Sequence, residues 1–199
     1  MNPVSQVKSK LSAVFSIMGS VKNIILQKPI LAIYDTTKLC NQRCPMCNVR
    51  KECSEQMSLD EIEKTAKALS NFGVRYVFVQ GGEPLIRKDI IDIVDIFIKN
   101  SIKPTIITNG VLLTRELAVE LAGRRCNLSI SIDSLQKEKY AYLRGSDDLT
   151  RVTEIIDSIA DITQRRGNWA ITSTITKQSS FEDIMDIYEY SKQKGFMFA

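Results

Sequence analysis

From Pro29 onward, short runs rich in β-branched residues alternate with amphipathic stretches of helical period, and this alternation limits the possible folds more than any other feature. The apolar spacing predicts strands over Leu31–Thr37, Arg75–Gln80, Pro104–Thr108, Leu128–Asp133 and Ala170–Thr176. Between them it predicts a helix beginning near Ser58, where Ser58-Leu-Asp-Glu61 makes a capping box, and helices over Asp89–Lys99, Thr114–Ala122, Leu149–Arg165 and Phe181–Lys194. Gly195 suits the residue that closes the last helix, and Phe196–Ala199 opens a sixth strand just before the chain stops. Strands separated by helices pair in parallel through right-handed crossovers, so the fold class is α/β. In the fourth strand Ser129, Ser131 and Asp133 share one face, and in the fifth Thr172, Thr174 and Thr176 do. A sheet packed on both sides reads almost continuously apolar, so these polar faces predict a partly open barrel with a wet or ligand-filled interior.

Residues 3–28 stand apart. Val4, Val7, Leu11, Val14, Phe15, Met18, Val21 and Ile25 recur at helical spacing, and Lys8, Lys10, Lys22 and Lys28 face no acid before Asp35. This reads as an amphipathic helix over 1–28 that either packs beneath the core of residues 29–199 or makes peripheral membrane contact. A net charge of +4 without a clustered basic face gives no reason to expect nucleic acid.

Histidine is absent from all 199 residues, which removes histidine metal ligands, Ser-His-Asp systems and the usual base near neutral pH. Three of the five cysteines crowd into Cys40-Asn-Gln-Arg-Cys44-Pro-Met-Cys47. Such crowding suits a metal site in a reducing, cytoplasmic setting better than a disulfide framework. Three thiolates on one loop can hold three irons of a cubane and leave the fourth open. The spacing also admits a structural four-cysteine zinc or iron–sulfur site completed by Cys53, a module without catalysis. Gly81-Gly82-Glu83-Pro84 ends the second strand, at the end of an α/β barrel where ligands gather, and sets an anion beside a backbone that a ligand can approach closely.

The cysteine triplet, with Gly81-Gly82-Glu83-Pro84 about forty residues on and Thr37, Asn41 and Leu85 flanking them, resembles the radical S-adenosylmethionine superfamily. The resemblance runs from about Ile30 to Ala199. It implies a partial (β/α)6 TIM-type barrel of parallel strands, here cut short in the sixth. It also implies a [4Fe–4S] cluster on Cys40, Cys44 and Cys47, with S-adenosylmethionine completing the fourth iron. Gly81, Gly82 and Glu83, with Pro84 shaping the turn, would hold the cofactor amine. Ser131, two residues before Asp133, matches a strand-four polar contact to the cofactor, Asp133 itself is counted among the cofactor-binding residues, and Arg144 in Leu143-Arg144-Gly145 matches an arginine for the carboxylate. Asn109 in Thr108-Asn109-Gly110 shapes the pocket. Met46 stands where relatives place an aromatic residue against the adenine. The implied reaction is reductive cleavage of the cofactor to a 5′-deoxyadenosyl radical that abstracts hydrogen from a peptide, lipid or tetrapyrrole-type substrate. A flavodoxin- or ferredoxin-type donor would supply the electron. Cys53 and Cys126 have no counterpart in the family.

Overall fold

The computed structural model describes residues 28–49, 56–166 and 168–199; the helix expected over 1–28, Lys28 apart, and Cys53 lie outside them. Six strands form one parallel sheet in chain order: β1 (Leu31–Asp35), β2 (Tyr76–Gln80), β3 (Lys103–Thr108), β4 (Asn127–Ser131), β5 (Ala170–Thr172) and β6 (Met197–Phe198). The helices are α1 (Leu59–Phe72), α2 (Ile90–Lys99), α3 (Arg115–Gly123), α4 (Lys137–Arg144), α5 (Leu149–Arg166) and α6 (Phe181–Lys194). β1 and β6 are the two edges of the sheet, so the barrel stays open, as the alternating pattern implied.

Parallel pairing puts every second residue on the helix-covered face. The register sets Val77 beside Pro104, Ile106 beside Leu128 and Ile130 beside Ile171, building one continuous apolar stripe across four strands. Against it pack Ile62 of α1, Ile93 and Phe97 of α2, Leu121 of α3, Ile156 of α5 and Ile187 of α6, all fully buried. Local signals start and stop the helices where the sequence placed them. Ser58 and Glu61 complete the capping box of α1, and Gly195 closes α6 at φ 80°.

Three expectations need correction. The fifth strand ends at Thr172, because the backbone N–H of Thr174 donates 2.8 Å to Asp133 Oδ1 and leaves the ladder. Thr174 and Thr176 therefore belong to a loop and not to a polar strand face. β4 stops at Ser131, which puts Asp133 beyond the strand. The third is α4, an eight-residue helix in a stretch where the apolar spacing predicts no element.

α4 is fastened to α6. Asp183 is almost fully buried at the start of α6, where it bonds the Ser180 backbone and hydroxyl at 2.7 and 2.8 Å and pairs with Lys139 of α4. The Lys139 ammonium first, then the Ser180 donors, hold its carboxyl down to about 2. A depressed carboxyl adds stability above the ordinary range near ~4 and loses it as pH falls through the folded value. Asp183→Asn should therefore lower stability at neutral pH and flatten the acid limb between roughly pH 4 and 2, followed by circular dichroism. An acid limb as steep as in the wild type would show that other carboxylates control it.

Candidate functional site

Parallel strands bring all their C-terminal ends to one side, and the chemistry-bearing segments emerge there. The cysteine loop follows β1, Gly81–Pro84 follows β2, Asn109 follows β3, Asp133 follows β4 and Thr174 follows β5.

The chain approaches Cys40 through a close backbone contact. Gly82 N–H donates 2.6 Å to the Thr37 carbonyl, and Glu83 N–H donates 2.8 Å to the Leu39 carbonyl. A Cβ on Gly81 would lie 2.4 Å from Thr37 O, and one on Gly82 would lie 2.0 Å from Leu39 O. Those distances are far inside van der Waals contact, so both positions are reserved for glycine by the segment leading into the cysteines. Among the described residues no donor reaches the Gly81 or Gly82 carbonyl, which leaves both oxygens for a ligand.

Glu83 knits β2 to β3. Its Oε1 accepts from Thr108 Oγ1 at 2.6 Å and from Leu85 N–H at 3.0 Å, and its Oε2 accepts from Asn109 N–H at 2.8 Å. A carboxylate has about four lone-pair sites, so one remains, on Oε2. Burial pushes this carboxyl up from its ordinary value, against the lowering effect of those three donors and of Arg144. Asn109 in turn donates 2.7 Å to Asn41 Oδ1, tying the end of β3 to the cysteine loop.

α4 braces the loop from the other side. Gln42 is buried and donates 3.2 Å to the hydroxyl of fully buried Tyr140, while Arg43 N–H donates 3.2 Å to the Arg144 carbonyl. Gly145 ends α4 at φ 62°, and a Cβ there would meet the Arg43 carbonyl at 2.3 Å. Gln42, Tyr140 and Gly145 were missed at the sequence level; the glycine after Leu143-Arg144 was the one available signal, a helix stop.

The three thiols stand on a single loop, with Cys40 and Cys44 half-buried, Cys47 exposed, and Cys47 N–H turned back to the Cys44 carbonyl at 3.1 Å. Burial pushes the Cys44 thiol up, Arg144 opposes this, and Cys40, Cys47 and Asp133 add to it, so the three sulfurs and the buried pair share one electrostatic neighbourhood. Among the described residues no three Cys, Asp or Glu side chains converge on a single ion. A donor set of soft thiolates on one loop suits an iron–sulfur cluster, whose irons take one thiolate each.

Arg144 is 8% exposed and faces Asp133, 1% exposed, with Nε 2.8 Å from Oδ2. The contact is an ion pair without hydrogen-bond alignment, and both atoms are otherwise unpartnered. An open cleft of about 240 Å³ beside the loop is lined by Pro45, Met46, Tyr142, Leu143, Thr176 and Gln178.

The sequence model of the Radical SAM superfamily matches residues 34–191, a span that holds every one of these segments. The chain belongs to the radical SAM superfamily. Its cofactors are accordingly the [4Fe–4S] cluster and S-adenosylmethionine. A probable GTP 3′,8-cyclase of Archaeoglobus fulgidus is 36% identical over 131 residues, covering 63% of this chain and 43% of that protein. A probable GTP 3′,8-cyclase of Methanothermobacter marburgensis is 31% identical over 178 residues, covering 85% of this chain and 56% of the relative. The chain thus spans about half the length of these curated relatives. Streptococcus suis SuiB bound to S-adenosylmethionine shares the fold at TM-score 0.74 and 22% identity, over 85% of this chain and 39% of that one. Native anSMEcpe with bound AdoMet shares it at TM-score 0.66 and 21% identity, over 84% of this chain and 50% of that one. Among the described residues no helix is long and apolar enough to cross a membrane.

Proposed function

We propose that this radical SAM domain binds a [4Fe–4S] cluster through Cys40, Cys44 and Cys47 and cleaves S-adenosylmethionine reductively to start hydrogen abstraction. The observation that carries it is the placement, at one end of the sheet, of three thiols on one loop, two unengaged glycine carbonyls, a buried carboxylate and a buried guanidinium. When bound, cluster and cofactor together supply an electron and a sulfonium whose cleavage gives methionine and a 5′-deoxyadenosyl radical.

The protein's own residues hold and orient. The Gly81 and Gly82 carbonyls and the remaining lone pair of Glu83 would accept from the N–H bonds of the cofactor amine. Arg144 offers an always-charged fork to a carboxylate, and Ser131 adds a polar contact at the end of β4. Met46, with Pro45 and Leu143, offers an apolar wall that fits a purine ring. The electron comes from a flavodoxin- or ferredoxin-type donor. For the substrate, the curated relatives support GTP over the peptide, lipid and tetrapyrrole classes expected from the sequence.

Anaerobic reconstitution should load about four irons per chain and, with dithionite, release 5′-deoxyadenosine from S-adenosylmethionine. Cys40→Ala, Cys44→Ala and Cys47→Ala should each lose the cluster, and Cys53→Ala should keep it. Cluster loss in Cys53→Ala would replace the three-cysteine reading with a four-cysteine site. GTP should be consumed under these conditions; cofactor cleavage with no loss of GTP would overturn the substrate alone.

A further inference from the structure

We infer that Asp133 is a positioning residue: it aims the Arg144 fork into the cofactor pocket and ties that pocket to the loop after β5. The inference rests on the reading that Arg144 meets the cofactor carboxylate.

Asp133 divides its two oxygens between different elements. Oδ1 accepts from Thr174 N–H at 2.8 Å, in the loop that leads from β5 to α6. Oδ2 faces Arg144 Nε, also at 2.8 Å, at the last residue of α4. Both side chains are at least nine-tenths buried, yet neither of the facing atoms has a hydrogen-bond partner. A buried, misaligned ion pair is a costly arrangement for stability alone, because desolvation is incurred without the hydrogen bonds that repay it.

Its geometry has another use. The pair is made through Nε, and among the described residues no hydrogen bond engages the two terminal nitrogens of the same guanidinium. The Asp133 charge 2.8 Å from Nε holds that corner of the planar guanidinium and leaves its two terminal nitrogens uncommitted. The Arg144 backbone is already pinned, its carbonyl taken by Arg43 of the cysteine loop. That bond fixes the end of α4 against the cysteine loop, at the same end of the sheet as Gly81–Glu83. The Asp133 carboxylate thus holds the Nε corner of the guanidinium with one oxygen and the Thr174 backbone with the other.

The test uses the full chain carrying its reconstituted cluster, with S-adenosylmethionine affinity read by equilibrium dialysis and iron by direct analysis. Asp133→Asn keeps an acceptor for Thr174 but removes the charge beside Arg144. It should retain full iron and raise the dissociation constant at least about tenfold. In cofactor cleavage it should raise KM and leave kcat within about twofold, the pattern of lost uniform binding. Arg144→Gln should weaken binding by a similar factor, and the double variant should be no weaker than the worse single, because Asp133 acts only through Arg144. Multiplying losses would show an independent structural role and overturn the inference. Asp133→Glu keeps the charge and pushes the fork forward by one methylene, so it too should bind poorly; wild-type affinity there would overturn positioning even if Asp133→Asn fails to fold. If Arg144→Gln binds as the wild type does, the carboxylate reading falls. If it loses binding while Asp133→Asn keeps it, only the role of Asp133 falls.

Discussion

Gly82→Ala is expected to abolish cluster binding, although this glycine touches no iron. An added Cβ would stand 2.0 Å from the Leu39 carbonyl oxygen and 2.6 Å from its carbon, and both atoms belong to backbone. No rotamer change relieves such an overlap, so one chain segment must move by more than an ångström. The segment that yields is 37–39, because Gly82 is fastened on its own side by the 3₁₀ turn Pro84–Ile86 and by Glu83's bonds to β3. That shift would break the 2.6 Å bond from Gly82 to Thr37 and the 2.8 Å bond from Glu83 to Leu39, and would carry Cys40 with it. A cluster requires three thiolates placed together, so displacing one is expected to lower iron content to near that of Cys40→Ala. Iron analysis after anaerobic reconstitution checks this, and circular dichroism separates cluster loss from unfolding. Full iron loading in Gly82→Ala would mean that the loop adapts and that the close approach is not what positions Cys40.

The parts of the site that could be read in the sequence are those whose cause is local. Cys40, Cys44 and Cys47 lie within eight residues, and Gly81–Pro84 carries its turn chemistry in four, so their types and spacing were visible without tertiary information. The helix termini were legible for the same reason, as with Ser58 and Glu61. What stayed hidden has a non-local cause. α4 is short and polar on average, and it is held by Tyr140 and Leu143 buried against neighbours and by Lys139 paired with Asp183, forty-four residues away. Strand length failed in the same manner. Thr172, Thr174 and Thr176 alternate as a strand should, but Asp133 takes the Thr174 N–H and ends the ladder. The two glycines also have a second reason to be glycine, beside the ligand approach read from the sequence. Close approach by a ligand and close approach by the chain's own 37–39 segment leave the same mark in a sequence, and the distances to Thr37 and Leu39 show the second.

Glu83 is expected to separate folding from cofactor binding when two substitutions are compared. Glu83→Ala removes the acceptor of three donors at once, Thr108 Oγ1, Leu85 N–H and Asn109 N–H, at a position 1% exposed. Each buried donor left without a partner costs about 1–3 kcal/mol, so the alanine variant should lose roughly 3–5 kcal/mol after the Thr108 hydroxyl turns elsewhere. That is a large share of a typical domain's ~5–15 kcal/mol, and the ends of β2 and β3 should come apart. Asn109 also reaches the cysteine loop through Asn41, so iron content should fall along with the melting temperature. Glu83→Gln keeps the shape and one acceptor oxygen. Turned so that this oxygen faces Thr108 and Leu85, its amide opposes only Asn109 N–H, and one bond is lost in place of three. The glutamine variant should therefore fold and hold its cluster. It lacks the charge and the lone pair proposed for the cofactor amine, so its S-adenosylmethionine affinity should drop about tenfold or more. Thermal unfolding, iron content and equilibrium dialysis on both variants measure the three quantities separately. Wild-type affinity in Glu83→Gln would restrict the carboxylate to joining the strand ends, and an unchanged melting temperature in Glu83→Ala would show that the strand ends hold without it.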